Sequence, residues 1–318
     1  MNSDPRVSVL IPTFNYARFL PETLDSVLCQ DLRDIEVVVV DDASTDETPS
    51  VMQALAARDP RITFIRHERN LGMVENWNWC LGRARGAYVK YLFADDRLSR
   101  PDSLRRMAEM LDAHPQAVLA TCAREIMDEH SQRTNVVRPL GRRSRLFSGE
   151  SIRARCTDRD AKFINPVGEP SAVMFRRSVA ARGFDPAFRQ LVDIEMWLHL
   201  LAHGDLVYLP EPLCSFRRHA GQQTQANRMR YLHQQEELDL CIRYTRPSAL
   251  NRVLFRKCYR IGKMYIPELA PRLKETRARF TPLEAAWHYT VYKLTRPFEN
   301  ALHSVTKRFG TDNQDGEA

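Results

Sequence analysis

The first 123 residues alternate short apolar runs with helical patterns, and that alternation leaves very few folds open. Val7-Ser8-Val9-Leu10-Ile11 is rich in β-branched residues and ends at Pro12. Ile35-Glu36-Val37-Val38-Val39-Val40 is almost wholly apolar, as a strand covered on both faces must be. Further strands are expected over 61–66, 87–93 and 117–122, with helices over 22–30, 73–84 and 101–114. Ser44-Thr45-Asp46-Glu47 reads as a capping box opening a helix that runs to about Ala57. Strands and helices in turn imply right-handed crossovers and a mostly parallel sheet, hence an α/β fold.

Residues 124–148 are polar and Arg-rich and read as a surface excursion. Regular structure is expected again as a helix over 150–156, a strand over 172–175 and a helix over 194–203. From Ala226 the pattern turns helical, which divides the chain into a sheet domain over 1–225, a helical region over 226–310 and a disordered tail over 311–318.

The net charge of +7 on 318 residues is unevenly spread. Residues 240–310 hold 15 Lys/Arg against 4 Asp/Glu, whereas residues 1–239 are close to neutral. Such an imbalance points to an acidic partner surface for the last third. Arg252, Arg256, Arg260 and Lys263 recur at helical spacing, and Leu283, Trp287, Val291 and Leu294 form an apolar line. Basic, Trp-bearing amphipathic helices suit an anionic membrane surface. A helical cap with a solvated basic face is the other reading, and no nucleic-acid motif accompanies the charge. Seven scattered cysteines without a Cys-x-x-Cys pair fit reduced thiols rather than a disulfide frame or a zinc site. The first residues lack a signal-peptide pattern, and no apolar stretch is long enough to span a bilayer. The expected location is cytoplasmic, peripheral on the inner face of the cytoplasmic membrane.

In open parallel sheets, ligands bind beyond the carboxyl ends of the strands. The first strand there runs into Pro12-Thr13-Phe14-Asn15-Tyr16, the second ends in Asp41-Asp42 and the fourth in Ala94-Asp95-Asp96. Either acidic pair alone can be a strand terminator or a helix start. Two pairs at neighbouring strand ends ask for a cation or polar ligand to offset like charge. The turn after Ile11 has no Gly-x-Gly-x-x-Gly, and no P-loop signature occurs anywhere in the chain. A diphosphate bound here would need a carboxylate-held metal, and hard oxygen ligands suit Mg²⁺ or Mn²⁺.

These stretches, with Asn70-Leu71-Gly72, Gly183-Phe184-Asp185, Asp193-Ile194-Glu195-Met196-Trp197 and Phe216-Arg217-Arg218-His219, occur in the order found in glycosyltransferase family 2. The chain resembles that family, the inverting nucleotide-sugar enzymes of the GT-A-type fold, over about residues 6–225. The resemblance implies that Pro12, Thr13, Phe14, Asn15, Asp42 and Asn70 border the nucleotide, with Phe14 either stacking on the base or packing in the core. It assigns Asp96 to the metal and Asp95 to ribose or metal-bound water. His219 is a third metal ligand, a diphosphate contact or a surface histidine, and Arg217 and Arg218 are placed on the diphosphate. Asp193 is the general base or a helix N-cap, and Val192 stands where the family has a first acid. Glu169 and Trp197 fall on the acceptor side. The Gln-x-x-Arg-Trp signature of processive members is missing, which favours transfer of one sugar from a nucleotide-diphosphate donor, expected to be a UDP-sugar. The expected acceptor is a glycan or lipid-linked molecule of bacterial surface polysaccharide or lipopolysaccharide synthesis. The competing class is a non-catalytic nucleotide-sugar or glycan-binding subunit.

Overall fold

A computed structural model describes residues 4–157, 164–219, 232–245, 247–262, 270–291 and 293. They belong to two compact units, one of Met1–Cys156 and Phe163–Glu236, the other of Thr157–Lys162 and Glu237–Ala318.

The first unit is built on one ten-stranded sheet. Strands β1 (Val7–Thr13), β2 (Ile35–Asp41), β3 (Ile62–Arg66) and β4 (Tyr88–Tyr91) pair in parallel, in the order β3-β2-β1-β4. Helices α1 (Leu20–Leu28), α2 (Thr48–Ala56) and α3 (Met73–Arg83) are the crossovers. Every residue of β1 and β2 is buried, which is why their sequences run apolar without alternation. Beyond β4 the sheet becomes mixed. After β5 (Arg97–Leu98) and α4 (Ser103–Ala113) come β6 (Ala117–Met127), β7 (Arg133–Val137) and β8 (Arg145–Phe147). Helix α5 (Gly149–Thr157), strand β9 (Val173–Arg176), helix α6 (Val192–Leu200) and strand β10 (Asp205–Arg217) complete the unit. Strand β9 lies antiparallel between β4 and β6, while β6 and β10 are parallel.

The α/β architecture is as expected, but the parallel character stops at β4. Residues 124–148 are not an excursion: β6 continues to Met127, and the half-exposed β7 and β8 pair on β6 and β10. The long β10 was hidden by Pro210 and Pro212. These remove two ladder donors, and the register shifts around Pro212 are the result. The capping box over 44–47 does not form. Helix α2 begins at Thr48 after Glu47, with no side-chain cap, because Ser44 is bonded to Asp41 instead.

In the second unit, α7 (Leu232–Tyr244, which straddles the boundary), α8 (Pro247–Gly262) and α9 (Ala270–Arg277) carry small apolar clusters. Leu238, Cys258 and Leu273 form one, and Cys241, Val253 and Leu254 the other. The expected basic stripe is broken: Arg256 is buried, as is its neighbour Lys257, whose Nζ lies 2.7 Å from Glu237. Arg252 is exposed, while the Arg260 side chain, Lys263, Leu294 and the tail over 311–318 lie outside the described residues. Leu283 and Trp287, on a helical stretch over 282–291, are 82% and 67% exposed. Among the described residues, no helix is long and apolar enough to cross a membrane.

Candidate functional site

The carboxyl ends of β1, β2 and β4 carry the residues singled out in the sequence, and each end is built differently. After β1, Pro12 and Thr13 are buried while Phe14 is 41% exposed, so Phe14 is a rim residue and not part of the core. Asn15 follows in a left-handed conformation, φ 60°, as Asn tolerates. Its Oδ1 accepts from the backbone N–H of Thr45 at 2.8 Å and of Asp46 at 3.3 Å, and its own N–H donates to Ser44 Oγ at 2.8 Å. The Tyr16 and Ala17 amides donate to Thr48 Oγ1 and Asp46 Oδ2. The first two loops are thus laced together.

At the end of β2 the acids are already occupied. Asp41 accepts from the Ser44 amide and hydroxyl and faces Arg66 Nε at 3.3 Å. Asp42 accepts from Leu71 N–H at 2.7 Å through one oxygen and from Gly72 N–H at 2.9 Å through the other. Asn70 donates to the Asp42 carbonyl at 3.1 Å. Asp42 and Asn70 therefore hold the 70–72 turn as a wall; the Asp42 carboxylate is buried in it, while Asn70 stays exposed. Trp77, on α3 behind this wall, is buried against Phe93 and Phe184.

The end of β4 is the opposite case. Asp96 is fully buried, and its Oδ1 accepts from Arg217 N–H at 2.9 Å. Its Oδ2 is buried without a hydrogen-bond partner. Burial, and then the charge of Asp95, pushes the Asp96 carboxyl well above the ordinary range, with the Arg217 amide and Ser171 hydroxyl opposing. Asp95 faces His219, with Nε2 to Oδ2 at 3.1 Å, and the His219 ring packs on Phe19 and Tyr16. Burial, then Asp95 and Asp96, drives the Tyr16 hydroxyl far above its usual value.

A metal fits here by the chemistry of the donors: two adjacent carboxylates, one with a buried and unanswered oxygen. No group of three His, Cys, Asp or Glu side chains gathers to hold an ion among the described residues, so phosphate oxygens and water would complete a shell. His219, whose Nε2 lies 3.1 Å from Asp95 Oδ2, sits beside the acidic pair.

Arg217 is not a diphosphate contact. It is buried, its Nε donates to the Asp95 carbonyl at 2.7 Å, and its terminal nitrogens reach Glu22 at 2.6 Å and Ser131 at 2.8 Å. It therefore clamps the Asp95–Asp96 turn to α1. Arg218, next along, is exposed. Glu22 escaped the sequence reading because nothing marks an acid inside a helix as site-directed. Lys90 escaped too, though a lysine in an otherwise apolar strand is a signal. It is fully buried, and its Nζ donates to the Ser171 carbonyl.

On the far side, Asp193 lies in the first turn of α6. Leu191, not Asp193, holds the N-cap position, and no side-chain cap bond forms there. Burial is the main cause that raises Asp193 to about 7; Glu169 and Glu236 add to it, and the amides of Ile194 and Asp193 oppose it. Asn165 Nδ2 donates to Asp193 Oδ2 at 3.2 Å. Glu169 is paired with Arg124 at 2.6 Å and remains partly exposed. Trp197, expected on the acceptor, is buried instead, and its indole N–H donates to the Gly168 carbonyl at 3.0 Å. Gly168 has φ 107°, a backbone region side-chain-bearing residues rarely adopt. Trp197 thus supports the turn that carries Glu169.

A family model described as "Glycosyl transferase family 2" matches residues 8–184. Among curated relatives, the uncharacterized protein MT1568 of Mycobacterium tuberculosis is 34% identical over 221 residues, 68% of this chain and 67% of its own length. Three further mycobacterial relatives are covered over 59% of their length. The succinoglycan biosynthesis protein ExoO of Rhizobium meliloti is 40% identical over 109 residues, 34% of this chain and 30% of that one. Two solved structures share the fold. The mannosyltransferase PcManGT of Pyrobaculum calidifontis, in complex with GDP-Man and Mn²⁺, superposes with a TM-score of 0.57 at 23% identity, covering 94% of this chain and 83% of that one. Residues 1–349 of S. aureus TarS, in complex with UDP-GlcNAc, superpose with a TM-score of 0.61 at 15% identity, covering 92% of both chains. With the family model matched along more than half its length, and the acids at their expected strand ends, the chain belongs to glycosyl transferase family 2 and is a glycosyltransferase.

Proposed function

We propose that the chain transfers one sugar, with inversion, from a nucleotide-diphosphate donor to a hydroxyl of a glycan or lipid-linked acceptor in bacterial surface polysaccharide synthesis. The observation that carries this reading is the Asp95–Asp96 pair at the end of β4, with one Asp96 oxygen buried and unanswered. Asp96, with Asp95 beside it, would hold Mn²⁺ or Mg²⁺, and the ion when bound supplies counter-charge to the diphosphate. Phe14 and the laced loops border the nucleotide, and the Asp42-held turn closes that side. Arg218 is the one arginine of its pair exposed enough to meet phosphate. The acceptor oxygen attacks the anomeric carbon as the bond from that carbon to the diphosphate oxygen breaks. The nucleoside diphosphate leaves with the bonding electrons, and Asp193 takes the hydroxyl proton. An acid held near 7 suits that task, since a base is most effective with its pKa near working pH.

The succinoglycan relative supports the polysaccharide context. The UDP-GlcNAc and GDP-Man bound by the two structural neighbours support a nucleotide-sugar donor, and we retain the UDP-sugar expectation. The basic last third and the exposed Leu283 and Trp287 support peripheral contact with anionic lipid, now resting on the apolar pair rather than on the interrupted basic stripe. The deciding experiment incubates UDP-, GDP- and dTDP-sugars with the protein and Mn²⁺, reads thermal protection, and then assigns the product anomer by NMR. A retained anomeric configuration, or full transfer in EDTA, would overturn the mechanism. Co-sedimentation with anionic vesicles tests the membrane contact, and Leu283→Ser with Trp287→Ser should release the protein.

A further inference from the structure

We propose that Asn165 is a positioning residue for the Asp193 carboxylate, holding one oxygen through Nδ2 so that the other is presented to the acceptor hydroxyl. The inference rests on the reading of Asp193 as the base. Its ground is geometric. Asn165 Oδ1 accepts from Val167 N–H at 3.1 Å and Gly168 N–H at 2.9 Å, while Nδ2 donates to the Gly168 carbonyl at 3.1 Å and Asp193 Oδ2 at 3.2 Å. One amide therefore ties the 165–168 turn to the first turn of α6. The Gly168 carbonyl is also taken by Trp197, one helical turn beyond Asp193, so the same turn is fastened to α6 at two points. Where the family has a flanking acid, this chain has Val192, whose side chain is buried and cannot bond the carboxylate. Asn165 supplies a neutral donor from another segment, which steadies the base without adding like charge.

Among the described residues, the charged groups facing Asp193 are Glu169 and Glu236. Glu169 comes from the end of the same turn and is paired with Arg124 of β6. Glu236 comes from α7 and accepts from the Arg189, Gln190 and Leu191 amides. On α6 itself, Glu195 is neutralised by Arg182 at 2.5 Å. Among the described residues, Asn165 is the side chain that donates to Asp193. A donor favours the ionised form, so its loss raises the pH at which Asp193 becomes a base.

Asn165→Asp is the strongest perturbation of this role. Its carboxylate can still accept from the Val167 and Gly168 amides, but it gives up the bond to the Gly168 carbonyl, removes the donor to Asp193 and adds a like charge beside it. The expected result is a rise of about one unit or more in the pH midpoint of kcat, hence about tenfold slower transfer near pH 7, with donor KM unchanged. Asn165→Ser keeps an acceptor for the turn, is too short to reach Asp193 and adds no charge, so it separates loss of the donor from added charge and should move the midpoint the same way by less. The Asp193 carboxylate titration, followed by ¹³C NMR and assigned by its loss in Asp193→Asn, gives a readout independent of turnover. A Tm loss with kcat midpoint and Asp193 titration unmoved makes Asn165 a turn residue only and overturns the proposal. Turnover of Asp193→Asn tests the base assignment separately, so failure of that reading and failure of the Asn165 coupling are distinguishable.

Discussion

The ends of β2 and β4 carry the same signal, two adjacent aspartates after an apolar strand, yet they are opposites. At β2 the protein itself answers the charge: two backbone amides on Asp42, and Ser44 and Arg66 on Asp41. At β4 one oxygen of the buried Asp96 carboxylate has neither a hydrogen-bond nor an ion-pair partner among the described residues, whereas Asp41 Oδ2, which also lacks a hydrogen bond, is paired with Arg66. A buried polar atom without a partner costs about 1–3 kcal/mol, so its persistence points to a ligand that completes it. The comparison teaches that an acidic pair is a brace or a site according to what the surrounding chain spends on it.

The largest effect should separate the two ends. Asp96→Asn is expected to lower transfer by on the order of 10³-fold and to abolish Mn²⁺-dependent nucleotide affinity, measured by single-turnover assay and calorimetry. Next, Asp193→Asn should leave donor affinity intact and lower kcat by about 10²–10⁴-fold. Loss of donor binding in that variant would move Asp193 to the donor side.

Intermediate in size is the pH response. With Asp193 held at about 7, kcat should climb about tenfold per unit below that value and level off above it. Stability runs the other way. Burial favours the protonated acid, so its stabilising contribution is present at low pH and lost as pH rises from the ordinary carboxylate range to about 7. Asp193→Asn should therefore have a higher melting temperature than wild type above pH 7, seen by calorimetry. The smallest effect belongs to the brace: Asp42→Asn turns one acceptor into a donor against an amide. It should cost about 1–3 kcal/mol of stability and raise donor KM through a loosened 70–72 turn, with kcat retained. If Asp42→Asn abolished Mn²⁺-dependent binding as Asp96→Asn does, the contrast between the two ends would collapse.

The parallel half of the fold was legible because β1 and β2 are buried on both faces and their sequences say so. The mixed half was not. Strand β10 is interrupted by prolines, and β7 shows a polar edge to solvent, so neither carries the expected pattern. The site was legible as a set of positions and only partly as roles. Asp42 is occupied by amides 29 and 30 residues away, and Arg217 by Glu22, 195 positions earlier. Local sequence does not encode partners at that separation. Trp197 and Arg217 sat in motifs placed near substrate, and their burial follows from size and pairing that only the packed chain reveals.

The lacing of the first two loops has a consequence for how a nucleotide arrives. Asn15 and Ala43, both at φ 60°, sit on backbone that few residues adopt, and the cross-bonds from Asn15 to Thr45 and from Ser44 to Asp41 span the stretch between them. Chain freedom that other pockets surrender on binding was here surrendered during folding. On the proposed reading, a donor entering between Phe14 and the 70–72 wall meets a surface already in shape. Its affinity is then set by the contacts it makes and the water it displaces, not by the ordering of the loops that receive it.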